Sequence, residues 1–150
     1  MKGFLTRLEK NAPRTLDVLA GEVDKEVWTE IDCLSCANCC KTMSPTYTFA
    51  DLKRISAHLG MSIKEFKAKW LYLDKNGDWM NVSTPCQFLD LTTNMCSIYE
   101  HRPLDCSGFP HLAKRKMKEY IHVHQQNIDY CPATYRMVEK MIERVKGGIA

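Results

Sequence analysis

Sulfur dominates the chemistry available to this chain. Cys33, Cys36, Cys39 and Cys40 fall within eight residues, and Cys86, Cys96, Cys106 and Cys131 follow over the next ninety. Two thiolates separated by two residues can hold one metal ion, because the intervening turn points both sulfurs inward. Cys33-x2-Cys36-x2-Cys39 offers two such steps in series. The same run can wrap an iron–sulfur cube whose fourth ligand is a distant cysteine followed by proline, as in Cys131-Pro132. One partition therefore groups Cys33, Cys36, Cys39 and Cys131, leaving Cys40, Cys86, Cys96 and Cys106 for a second centre. Another leaves Cys33 or Cys131 out. Zinc and iron–sulfur clusters both accept four thiolates in tetrahedral array, so the ligand types do not separate them.

The alternative for eight cysteines is a disulfide scaffold. Adjacent cysteines pair with each other only under strain, which argues against it for Cys39-Cys40. Met1 to Lys10 is charged and has no apolar leader pattern. No apolar run approaches the ~20 residues of a membrane span. The expectation is a cytoplasmic protein, where thiols stay reduced, with a metal ion as partner and no membrane.

Composition fits one domain over residues 1–150, with 45% hydrophobic and 26% charged residues. The formal charge of +3 counts every cysteine as neutral. Ligation deprotonates thiols, so this basicity is weak evidence for a nucleic-acid partner. The basic run Lys114-Arg115-Lys116 with Lys118 has little aromatic interleaving and reads as a solvated face. Phosphate-binding motifs are absent, as is the C-x3-C-x2-C spacing of radical enzymes. Nothing selects a Cys–His pair as a nucleophile.

The elements around the cysteines read as an α+β fold, mainly helical, with one or two short β-hairpins. Residues 2 to 11 form an amphipathic helix with Phe4, Leu5 and Leu8 inward. Pro13 opens a second helix that carries Leu16, Leu19, Ala20, Val23 and Val27 on one face and ends near Ile31. Thr48 with Asp51 and Ser62 with Glu65 are capping boxes for two further helices, the first stopping at Gly60. Asn76-Gly77 marks a hairpin between Leu71–Leu73 and Trp79–Val82. A second hairpin pairs the Cys86 segment with the Cys96 segment and brings those two sulfurs close. Leu104-Asp105-Cys106 is a short turn. Ile121 and Val123, alternating with His122 and His124, predict an edge strand. Cys131-Pro132 opens a last helix with Tyr135, Val138, Ile142 and Val145 inward, ending at Gly147-Gly148. His58 stands alone on its helix, and Arg102 caps a turn or pairs with Glu100.

The ordered motifs Cys33-x2-Cys36-x2-Cys39-Cys40, Pro85-Cys86-x-Phe88-Leu89 and Cys96-x-Ile98-Tyr99-Glu100-x-Arg102-Pro103-x2-Cys106-x2-Phe109-Pro110 resemble the CxxCxxCC family of zinc- or iron-chelating domain proteins. The resemblance covers about residues 33 to 131. It implies that Cys33, Cys36, Cys39, Cys40, Cys86, Cys96 and Cys106 chelate metal, and Cys131 is similar to a late cysteine of many members. Ala37 stands where the family often has Gly, and Ser107 where it often has a basic residue. The resemblance implies zinc or iron, with an iron–sulfur cluster as one form, and no settled reaction. A related cluster in flagellin lysine methylases implies an iron–sulfur redox or radical enzyme as the alternative. A zinc-stabilised interaction module is a third reading. On balance the sequence leans away from an enzyme.

Overall fold

The computed structural model describes residues 1–114 and 116–147. In chain order the elements are α1 (Lys2–Lys10), α2 (Leu16–Glu30), α3 (Cys33–Cys36), α4 (Asn38–Thr42), β1 (Thr46–Tyr47), α5 (Phe49–His58), α6 (Ile63–Trp70), β2 (Leu71–Leu73), β3 (Trp79–Asn81), β4 (Leu89–Asp90), β5 (Met95–Cys96), α7 (Leu104–Gly108), α8 (Ile121–Asn127) and α9 (Pro132–Lys146). Short 3-10 turns occupy Tyr99–His101 and Met117–Tyr120. The fold is α+β and mainly helical. It resolves into two compact units, residues 33–109 and the helical segments on either side of them in sequence.

The helical unit buries Phe4, Leu5 and Leu8 of α1 and Leu16, Leu19, Ala20, Val23 and Val27 of α2, the faces read from periodicity. Pro13 lies before α2 and accepts from the Leu16 amide at 3.0 Å, so that helix begins three residues late. α2 packs on α9. Arg136 bonds Glu30 at 2.7 Å, Lys140 bonds Glu30 at 2.6 Å and Glu26 at 3.4 Å, and Arg144 bonds Glu22 at 3.0 Å and also Glu26. Acids ascend α2 every four residues while their bases descend α9, so the two helices run antiparallel. These pairs lie at the surface with their basic members partly buried, and they set register more than they add stability.

Two expectations fail in this unit. Residues 121 to 124 are helical, not an edge strand. Ile121, His124 and Asn127 are all buried, a spacing of three that a helix satisfies and a strand cannot. The last helix buries Ala133, Thr134, Met137, Val138 and Met141, so of the expected inner face Val138 is buried, Ile142 and Val145 are half-buried and Tyr135 is exposed. Met137 and Met141, whose flexible side chains fill irregular core gaps well, share the buried face with Val138. Of the helix stop, Gly147 is the C-cap and Gly148 lies outside the described residues. Arg115 of the basic run also lies outside them. Asp17 accepts the Met117 amide at 2.7 Å, anchoring the turn that begins at left-handed Lys116.

The second unit is built on the two foreseen capping boxes. The Thr48 hydroxyl accepts the Asp51 amide at 3.2 Å, and Asp51 accepts the Thr48 amide at 2.9 Å. Ser62 and Glu65 repeat the pattern at 3.1 and 2.7 Å. Gly60 at φ +68 ends the first of these helices in a conformation that penalises a Cβ. β2 and β3 pair antiparallel with Tyr72 opposite Met80. Asp74 closes the turn by accepting the amides of Asn76 and Asp78, and only Gly77 of the Asn-Gly pair takes positive φ. β1, which periodicity did not mark, adds to β3 and gives the order β1-β3-β2. Two residues are too short to show an alternating pattern. β4 and β5 form the second hairpin, with Leu89 opposite Cys96.

Tyr47, Leu52, Ile55, Phe66, Leu71, Phe88 and Ile98 make the core of this unit. Phe66 is fully buried, with ring centroids 5.9 Å from Tyr47, 5.4 Å from Trp70 and 6.2 Å from Phe88. Burying such a side chain contributes about 2 to 3 kcal/mol. Cys86 and Cys96 pack against the edge of this core.

Candidate metal centre

The cysteine run forms two short helices, not an open loop. α3 carries Cys33 and Cys36, and α4 carries Cys39 and Cys40 side by side. Between them Ala37 is buried in the left-handed region at φ 47, ψ 17. That is the position where the related pattern often has Gly, and an L-residue there costs about 1 to 2 kcal/mol. This left-handed residue breaks the run into two helices. Asn94, in the β4–β5 turn, donates to the Ser35 carbonyl at 3.2 Å and ties the hairpin to α3.

Backbone bonds assemble the remaining thiols of this unit. The Cys86 amide donates to the Cys40 carbonyl at 2.8 Å. The Cys86 carbonyl accepts the Leu89 amide at 3.0 Å, and the Phe88 carbonyl accepts the Ser97 amide at 2.8 Å. Cys86 and Cys96 are thereby held at the base of one hairpin, although Leu89, not Cys86, faces Cys96 across the strands. Cys106 lies in α7, a helix where a turn was expected. Its neighbour Asp105 accepts from the Thr46 amide at 3.0 Å, which fixes α7 against β1.

Asp51 also anchors this segment. It is almost fully buried and accepts from the Leu104 amide at 3.1 Å and from Arg54 at 2.9 Å. Arg54 also donates to the carbonyls of His101 and Arg102. Burial works to raise the Asp51 pKa, but the bonds from Thr48, Leu104 and Arg54 outweigh it and hold the carboxyl below its ordinary range. Arg102 caps the preceding turn by donating to the Tyr99 carbonyl at 2.7 Å, with its guanidinium over the Tyr99 ring. His58 is not alone, since its ring stacks on His101 with centroids 3.9 Å apart.

The thiols feel one another. Cys39 donates to Cys40, which lowers the Cys40 pKa to about 7, with Lys41 assisting against burial. The same bond, together with burial, raises Cys39. Burial raises Cys106, and negative charge at Cys40, Cys86 and Cys96 raises it further. Cys86 is raised by burial, while the amides of Phe88 and Leu89 and the side chain of Asn81 favour its thiolate. Cys96 is likewise raised by burial and opposed by the Ile98 amide. Amides of the second and third residues onward that face a cysteine sulfur are the arrangement a metal-bound thiolate uses.

Tyr47, Asn81 and Gln87 border this group, and periodicity marked none of them as functional. Asn81 Oδ1 accepts from Tyr47 Oη at 2.7 Å and from Gln87 Nε2 at 3.0 Å. Its Nδ2 is buried and completes no hydrogen bond, although its donor character still favours the Cys86 thiolate. Burial, followed by the charges of Cys86, Cys106 and Cys96, raises the Tyr47 pKa. A polar residue at a buried hairpin position was the one available signal for Asn81.

All eight cysteines are free thiols. Cys33 is exposed, and Cys36, Cys39, Cys40, Cys86, Cys96 and Cys106 are half-buried in the same unit. Cys131 is buried in the helical unit as the N-cap of α9. Among the described residues, no three or more His, Cys, Asp or Glu side chains converge closely enough to hold a metal ion. The donor set nonetheless suits a thiophilic metal. It is all sulfur, half-buried, and supplied with amides that favour thiolate. Ligation would have to draw the sulfurs together.

This is an α+β cysteine-cluster protein with seven of its eight thiols in one unit. The chain belongs to the CxxCxxCC family, described as "Putative zinc- or iron-chelating domain", which matches residues 32–132. It is also similar to "Uncharacterized protein MJ0661" of Methanocaldococcus jannaschii, with 33% identity over 81 residues, 53% of this chain and 43% of that one. The chain thus spans less than half the length of that relative. No solved structure matches it. Among the described residues, no helix is long and apolar enough to cross a membrane.

Proposed function

We propose that the unit spanning residues 33–109 binds zinc or iron through cysteine thiolates, with Cys40, Cys86, Cys96 and Cys106 as its central ligands. The observation that supports this is that these four thiols are half-buried in one unit, with the Cys86 amide bonded to the Cys40 carbonyl at 2.8 Å and with backbone amides favouring the thiolates of Cys86 and Cys96. Cys33, Cys36 and Cys39 supply a second donor group beside them, and Cys131 is a further donor in the helical unit. A four-thiolate zinc site supplies folding free energy, whereas an iron–sulfur cluster supplies one-electron chemistry. Asn81, Phe88 and Leu89 would hold the Cys86 sulfur as thiolate, and Asp51 would hold the segment that carries Cys106.

Thiols that must stay reduced to ligate fit a cytoplasmic setting. The x2-x2 run of Cys33, Cys36 and Cys39 is the observation that favours an iron–sulfur cluster, with redox or radical chemistry as its use. The test is elemental analysis and a visible spectrum of protein purified without oxygen. Zinc or iron bound stoichiometrically, and lost in the Cys86→Ser and Cys96→Ser variants, is the expected result. A brown protein with labile sulfide selects the cluster, and a colourless zinc protein selects closed structural sites. Metal-free protein that folds cooperatively and takes up neither metal overturns the proposal.

A further inference from the structure

The helical unit buries polar side-chain atoms that complete no hydrogen bond within the protein. His124 has no exposed surface, and neither of its ring nitrogens has a hydrogen-bond partner. Thr134 is fully buried with its hydroxyl unpartnered, and Asn127 is 2% exposed with its Nδ2 unpartnered. All three lie within eleven residues of sequence, on α8 and on the first turn of α9, which pack together. The Cys131 amide donates to the Asn127 carbonyl at 2.8 Å and closes the corner between these helices. His124 is one turn back from Asn127 on the buried side of α8, and Thr134 is in the first buried turn of α9. Cys131, the N-cap, gives that turn no side-chain hydrogen bond.

We propose that this corner is a built hydration site, in which one or two internal waters bridge His124, Asn127 and Thr134. The free valences select the ligand. Asn127 Nδ2 can only donate, so it cannot ligate a cation. Burial, with His111 and His122 nearby, lowers the His124 pKa to about 4, so its imidazole is neutral and offers one donor and one acceptor. Thr134 offers both. A set that donates and accepts, and carries no charge, matches water, which needs two to four polar partners when buried. Water there holds α8 against α9 through polar geometry that an apolar corner would leave unspecified.

The sign of one substitution in the full chain tests this. If water bridges the hydroxyl, Thr134→Val leaves that water and its other partners short of a bond. The folding equilibrium constant, followed by Trp28 fluorescence in urea, should then fall by about tenfold. If the corner is dry, Val replaces an unsatisfied hydroxyl with a methyl of the same shape, and the constant stays the same or rises. The second measurement is NMR of the His124 ring in the wild-type chain. It should show one neutral tautomer at pH 6 with a magnetisation-transfer peak to a long-lived water. Both results are required. An unchanged or raised folding constant, or a His124 ring with no water cross-peak, overturns the site.

Discussion

Replacing Asp51 by Ala probes how the fold holds the cysteine-bearing segment. Asp51 Oδ2 accepts from the Thr48 amide and hydroxyl, and Oδ1 accepts from the Leu104 amide and Arg54. Losing its half of the capping box removes about 1 kcal/mol. Leaving the Leu104 amide without its acceptor costs a further ~1 to 2 kcal/mol. The Arg54 side chain is 41% exposed, so the ion pair is discounted to at most ~1 kcal/mol. The sum is about 3 kcal/mol at neutral pH, within the range for breaking a buried paired charge. Urea unfolding followed by fluorescence of Trp70 and Trp79, both in this unit, measures it. Because the folded pKa lies below the unfolded value of ~4, the Asp51 contribution is full above that pH and is lost as pH falls through the folded pKa. The gap between wild type and variant should therefore close in acid. A loss under about 1 kcal/mol at pH 7, or a gap that does not narrow as pH falls below ~4, would refute the reasoning.

Other outcomes follow from the same structure. Cys86→Ser and Cys96→Ser should each weaken zinc or iron binding by more than about tenfold in competition with a chelator, and Asn81→Ala should weaken it by about tenfold. His124 contributes stability that is full above its unfolded pKa near 6.5 and is lost as pH falls toward about 4, roughly 3 kcal/mol in all. His124→Leu should flatten that limb of the stability profile between pH 6.5 and 4. Ser62→Ala removes a helix cap and should cost about 1 kcal/mol, read from the urea midpoint of the same two tryptophans.

The cysteine spacing, both capping boxes, the Asn-Gly hairpin and the inner faces of α1 and α2 were legible in the sequence. Each depends on residues within a few positions of one another, so local chemistry fixes it. The spacing also carried the family. Tertiary structure alone decided the rest. Residues 121 to 124 read as a strand because Ile121 and Val123 alternate with histidines, yet burial of Ile121, His124 and Asn127 requires a helix. Tyr135 lost the inner face of α9 to Met137 and Met141, because the fit against neighbouring helices, not hydrophobicity along one helix, selects the face. Asp51 reads only as a cap in sequence. Its second role, accepting from Leu104, joins residues 53 positions apart. The assignment of seven cysteines to one unit and Cys131 to the other is equally non-local. Spacing lists the thiols that can share a metal, but only the path of the chain between them decides which ones meet.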